Sequence, residues 1–183
     1  MWTKHISFLS AVAIFLIGLG FYLYSIQQKQ LVYNSNSPTI NVVLGDQTKT
    51  ADCIIKNALP DSSCTPGAIF PNATKEQICT SGYSSSVRDV SVTIKKQIYA
   101  EYGLTYPQAR GAYEVDHFIS LELGGSNDIS NLWPEAANPK PGFHEKDMVE
   151  NYLHDQVCSG DMSLQEAQKE ISTNWLAVYN KIK

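Results

Sequence analysis

The sequence has no basic arm and no stripe of alternating aromatic and basic residues. That excludes a protein that reads nucleic-acid sequence through an extended positive surface. Positive charge is scarce throughout: 14 Lys and Arg stand against 18 Asp and Glu, a net charge of −4. From Arg110 onward, 6 basic residues face 12 acidic ones. A phosphate-bearing partner of this half would be held weakly and without sequence choice. There is no G-x-S-x-G elbow, so the serine-nucleophile signature expected of many cell-wall or lipid hydrolases is missing. Cysteine is limited to 4 residues, and none has C-x2-C spacing. A zinc site built from all of them therefore lacks its usual ligand pattern.

Long apolar runs are confined to one place. Ile6 to Ile26 follows Lys4 and His5 with almost no interruption. About 20 apolar residues span a bilayer. The run has no polar face, which argues against a core helix. Tyr22-Leu23-Tyr24-Ser25 is a poor match to the small-residue exit of a cleavable signal, and its tyrosines suit a membrane interface. Residues 1–30 are expected to form an uncleaved membrane anchor, with a cleaved signal as the alternative. Either one places the rest of the chain on the periplasmic or extracellular side, tethered or secreted. Lys4 and Lys29 flank the run, so charge orients it only weakly. Residues 31–50 read as a linker through Asn34-Ser35-Asn36-Ser37-Pro38, with a short strand allowed over Thr39 to Leu44. The remaining domain is 51–183. An even cysteine count on an exported chain points to disulfides. Four cysteines allow three connectivities, and Cys53 and Cys64 flank a short loop.

Ala68 to Ser86 reads as loop. A helix is expected within Val87 to Tyr102, with Val90, Ile94, Ile98 and Tyr102 on one face and Gly103 ending it. Near the C-terminus, Ser163 and Glu166 form a capping-box pattern ahead of Leu164, Ala167, Ile171, Trp175 and Val178 at helical spacing. The stretch with the most chemistry is Tyr113 to Asp147. YEVDHFIS is a β-type run, LELGGSND a turn-rich loop and ISNLWPEAA a second strand. A helix follows, with Val149, Tyr152, Leu153 and Val157 on one face. Asp116 and His117 are strand neighbours and so point to opposite faces. Asn131 lies 14 positions beyond His117, and His144 sits in the first helical turn.

Asp116-His117, Leu123-Gly124-Gly125, Asn131-Leu132 and His144 with Lys146-Asp147 resemble the HNH nucleases, the ββα-metal or His-Me finger superfamily. The resemblance extends from about Thr65 to Trp175 through TPGAIFP, ICTSGY, VR, YG, NLWPE, KDMVENYL, VCSG and AQKEISTNW. Together these motifs resemble a secreted bacterial subgroup. The resemblance implies an α+β fold: a small ββα-metal core, about residues 110–158, wrapped by flanking helices and disulfide-stapled loops. It implies metal-dependent hydrolysis of phosphodiester bonds in DNA, with RNA as a further substrate, by a monomer. His117 would be the general base, near neutrality by its ordinary pKa of roughly 6.5. Asp116 and His144 would hold one divalent cation, Mg²⁺ ahead of Mn²⁺ or Zn²⁺. Asn131 would tie the loop after the base and orient it. Gly124-Gly125 would let that loop turn tightly. Lys146 and Arg110 would be candidate phosphate contacts, with the charged face of a helix as the plainer account of Lys146 and a solvated surface arginine as an equal alternative for Arg110. ICTSG and VCSG imply a Cys79–Cys158 bridge, leaving Cys53–Cys64 as the second.

The chain departs from fuller HNH patterns. The position four before His144 is Lys140, so no second helical histidine accompanies it. Two protein ligands with water completing the shell suit Mg²⁺ better than a caged Zn²⁺. The competing reading is a non-enzymatic envelope protein that keeps the fold as a binding module, favoured by the acidic charge.

Overall fold

Alternation in YEVDH and LWPEA builds the hairpin at the centre of the described chain. The computed structural model describes residues 44–183. The expected anchor at 1–30 and most of the linker lie outside these residues. Strands β1 (Tyr113–His117) and β2 (Leu132–Ala136) pair antiparallel, with Asp116 opposite Trp133, Glu114 opposite Glu135 and His117 opposite Leu132. Side chains alternate across a strand, so Glu114, Asp116, Trp133 and Glu135 share one face. Tyr113, Val115, His117 and Leu132 share the other.

Among the described residues five α-helices accompany this hairpin: α1 (Lys75–Ile78), α2 (Tyr83–Val87), α3 (Val92–Glu101), α4 (Phe143–Ser159) and α5 (Leu164–Ile182). The fold is therefore mixed α+β, with one small two-stranded sheet. The region read as loop, Ala68 to Ser86, contains α1 and most of α2. A reciprocal capping box between Thr74 and Gln77 starts α1. Ser91 caps α3, which lies within the expected Val87 to Tyr102 and leaves Val90 just ahead of the helix. Among the described residues no helix is long and apolar enough to cross a membrane. Residues of the expected linker pack onto the domain: Gln47 Nε2 donates to Glu101 Oε2 at 2.6 Å, and the Thr48 amide donates to the Ser63 carbonyl.

The layer beneath the hairpin comes from α4 and α5. Val149, Leu153 and Val157 recur every four residues on α4 and meet Ala167, Ile171, Trp175 and Val178 of α5. Full burial of each larger member contributes roughly 1.5–3 kcal/mol. Tyr152, expected on this face, is instead 38% exposed because the buried row is a narrow i, i+4 stripe. Ser163 and Glu166 cap α5 reciprocally, and Gly160 ends α4 in the left-handed region. A second cluster joins Ile98 of α3 and its C-cap Tyr102 to Phe118, Leu132, Trp133 and the Cys53–Cys64 bridge. Cys79 and Cys158 form the other disulfide, closing a separation of 79 residues between the end of α1 and the last turn of α4.

The loop from Phe118 to Asn131 carries the chain between the strands. A side chain at Gly125 would place its Cβ 1.7 Å from the Ile119 carbonyl oxygen, so only glycine allows this backbone approach. Asn131 is buried at the other end of the loop. Its Nδ2 donates to the carbonyls of Ile119 at 3.0 Å and Ser126 at 2.9 Å, and its Oδ1 accepts from the Ile119 amide at 2.9 Å. One amide side chain thereby fixes the segment that follows His117.

Candidate functional site

Two groups of polar side chains build on His117 and its neighbour Asp116 near the loop end of the hairpin, one on each face. The first surrounds His117. His117 is 1% exposed. Nε2 lies 3.1 Å from Asn127 Oδ1. That same oxygen accepts the Asp89 amide at 3.2 Å, while Asn127 Nδ2 donates to the Val87 carbonyl at 2.7 Å. The network therefore assigns the proton to Nε2 and leaves a lone pair on Nδ1. Nδ1 is buried with no hydrogen-bond partner. Burial drives the pKa of His117 down to about 4, against the opposing pull of Asn127 and Asp116. At neutral pH the ring is an uncharged base with one free acceptor.

The second group surrounds Lys146. Its Nζ donates to Asp116 Oδ2 at 2.6 Å, to the His117 carbonyl at 2.9 Å and to Glu150 Oε1, with Glu135 Oε2 at 4.0 Å. Burial opposes the ammonium charge, but Asp116, Glu150 and Glu135 outweigh it and raise its pKa. Burial likewise opposes the charge of Asp116, and Lys146 overcomes this and holds its carboxyl low. Burial pushes Glu135 up to about 10 and Glu150 to about 7, each partly offset by Lys146. At neutral pH Glu135 is thus protonated, and the interior cluster stays near charge balance. Both Glu135 oxygens are buried, with no partner at hydrogen-bond geometry among the described residues, and Asp116 is the carboxylate that a protonated Glu135 would meet. Lys146 does not present its charge to a substrate: its side chain is fully buried and its three donor directions are taken.

Outside this cluster lies an acidic rim. Loss of solvent raises Glu114 to about 7, with repulsion from Asp116 and Asp147 adding to it. Loss of solvent and then Asp116 raise Asp147 as well. His144, in the first turn of α4, is 68% exposed, and its Nδ1 lies 4.0 Å from Asp147 Oδ2. Asp116, Asp147 and Glu114 therefore feel one another, with His144 at the edge of the group. These hard oxygens fit a largely hydrated Mg²⁺, which would relieve their mutual repulsion. They do not form a tight cage: the Asp116 and His144 donors belong to no set of three within 4.8 Å among the described residues. The three donors that do lie so close are Cys79, His154 and Cys158. Two of these are joined in the disulfide, so no thiolate is left to bind a metal.

Arg110 is not brought to this place. It is exposed in the turn before Tyr113, at the far end of β1 from His117. At strand rise, about 13 Å separates Tyr113 from His117. Asn127, Glu135, Glu150, Glu114, Asp147 and Arg88 lie within the sequence motifs but are given no role of their own there. Glu150 carried a signal, since it stands four residues after Lys146 on one helix. Asn127 looked like any turn residue. Comparison with protein-family models, with curated proteins and with solved structures gives no match.

Proposed function

We propose that the chain is a metal-dependent endonuclease that hydrolyses phosphodiester bonds of DNA, and secondarily of RNA, with little sequence specificity. The reading rests on a ββα-metal interpretation of β1, β2 and α4. The observation that carries it is the state of His117: neutral and fixed through Nε2, with a free Nδ1, and next in the chain to Asp116 of the acidic group. A histidine held this way is suited to take a proton from water. An entering water and a phosphate anion would both push its pKa back towards neutrality. Deprotonated water then attacks phosphorus in line, and the 3′ oxygen leaves. Asp116, Asp147 and His144 would hold the cation, with Glu114 within its field. Such a cation supplies Lewis-acid stabilisation of charge developing on the phosphoryl and leaving oxygens. Lys146 keeps Asp116 ionised and pins the His117 carbonyl, so it acts on the backbone and the carboxylate rather than on substrate.

Both disulfides suit an oxidising compartment. We place the activity outside the cytoplasm, with the N-terminal segment as tether or export signal and the enzyme working as a monomer. Burial of the His117 ring favours a second reading, a binding module whose site is closed to water. One assay separates the two. Purified protein is incubated with supercoiled plasmid, single-stranded DNA and RNA in Mg²⁺, Mn²⁺ or Zn²⁺. The nuclease reading expects plasmid nicking that chelation abolishes. No cleavage of any polymer in any of the three metals would overturn it.

A further inference from the structure

The acidic rim poses a problem for any anionic substrate. Lys146 is sequestered and Arg110 is remote, so neither supplies an accessible cation there. One arginine does. Arg88 follows α2 in extended backbone, and its amide donates to the Ser84 carbonyl at 3.2 Å. The residues on either side are clamped by a single side chain: Asn127 takes the Asp89 amide at 3.2 Å and holds the Val87 carbonyl at 2.7 Å. The same Asn127 oxygen meets His117 Nε2 at 3.1 Å. Arg88 is thus carried on the one loop whose position is tied to the His117 ring. Its side chain is exposed. The ion pairs among the described residues all use lysine or histidine, and Arg88 belongs to none of them. Its charge is felt at Glu114, His117 and Asp147, so the guanidinium lies within electrostatic reach of the rim that the Asn127 clamp brings near.

We propose that Arg88 is the phosphate-binding residue of this site, with Asn127 setting its distance from His117. The inference rests on the nuclease reading for its substrate class, a phosphodiester backbone. A planar guanidinium with no internal partner can grip two non-bridging oxygens at once, which a lysine cannot. The surrounding carboxylates would then bias the site towards a strand that arrives with its cation.

The test uses the full chain. Fluorescence anisotropy with a short labelled duplex is measured in EDTA across a salt series, for wild type, Arg88→Ala, Arg88→Lys and Arg110→Ala. Loss of one charge-assisted contact weakens binding about 10-fold at low salt. It also lowers the slope of log affinity against log salt by about 0.9. Arg88→Lys should keep the slope and lose part of the affinity. Arg110→Ala should match wild type. In cleavage assays Arg88→Ala should raise KM more than it lowers kcat. Wild-type affinity and slope in Arg88→Ala would overturn the assignment, and so would an equal effect from Arg110→Ala. Wild-type protein that binds but never cleaves would sink the nuclease reading while the slope still decides Arg88. Wild-type protein that does neither overturns both.

Discussion

Replacing Lys146 by Met removes a cation and keeps much of the stem volume. In the structure that cation donates to Asp116 Oδ2, to Glu150 alongside Ser120, and to the His117 carbonyl. The variant would leave buried carboxylates without compensation. Breaking a buried pair from one side costs about 3–5 kcal/mol. At roughly 3–4 °C per kcal/mol for a domain of this size, the melting temperature should fall by about 10–20 °C. The loss should depend on pH in a defined direction. Without Lys146, burial would raise the folded-state pKa of Asp116 above its unfolded value, and Glu150, already raised to about 7, would rise further. Groups shifted that way favour the folded state most at low pH, and that contribution is lost as pH rises through the folded pKa. The gap between wild type and Lys146→Met should therefore narrow on acidification from pH 7 to about pH 5. Glu150→Gln in the Lys146→Met background should recover part of the stability. Urea unfolding at the two pH values is the assay. A loss under about 1 kcal/mol, or one of equal size at both pH values, would refute the buried-cation account.

Three further outcomes are expected. Asn127→Ala should cost about 1–3 kcal/mol, because the Val87 carbonyl and Asp89 amide lose their partner. Nitrogen NMR should show His117 as a single Nε2-protonated tautomer in wild type and as a mixture in the variant; one unchanged tautomer would contradict the network. Glu135 binds its proton in the folded state up to about 10 from an ordinary 4.5, so wild-type stability should fall as pH rises through that window. Glu135→Gln should lack that slope and gain on wild type between pH 6 and pH 9, whereas parallel profiles in urea melts would count against a protonated Glu135. Gly125→Ala forces its Cβ to within 1.7 Å of the Ile119 oxygen, and unfolding experiments should show a loss of about 3 kcal/mol. A variant as stable as wild type would mean the loop relaxes freely.

Much of the fold could be read from local patterns. The alternation in YEVDH, the glycine pair and NLWPE gave the hairpin and its loop, and the Ser163 and Glu166 spacing gave the start of α5. Both disulfide pairings match the structure. The site was less legible because its determinants are tertiary. Lys146 sits in a helix turn rich in charge, which reads as a solvated face. Only the pairing of Asp116 with Trp133 and the packing of α4 across that face bury it. Asn127 lies in SND, a turn composition with no periodic signal, and its value comes from Val87, 40 residues earlier. Arg110 stood near the motif in sequence, but β1 carries the chain away from it. Arg88 stood 29 residues from His117 and returns through that one asparagine.

The central claim is that His117 acts in the chemical step. The most direct measurement is plasmid cleavage at saturating Mg²⁺ by wild type and His117→Ala, with melting curves recorded at the assay pH. A general base accounts for losses of about 100-fold to 10,000-fold. The account expects a loss of that order in protein that remains folded at the assay temperature. Near wild-type cleavage by folded His117→Ala would contradict it.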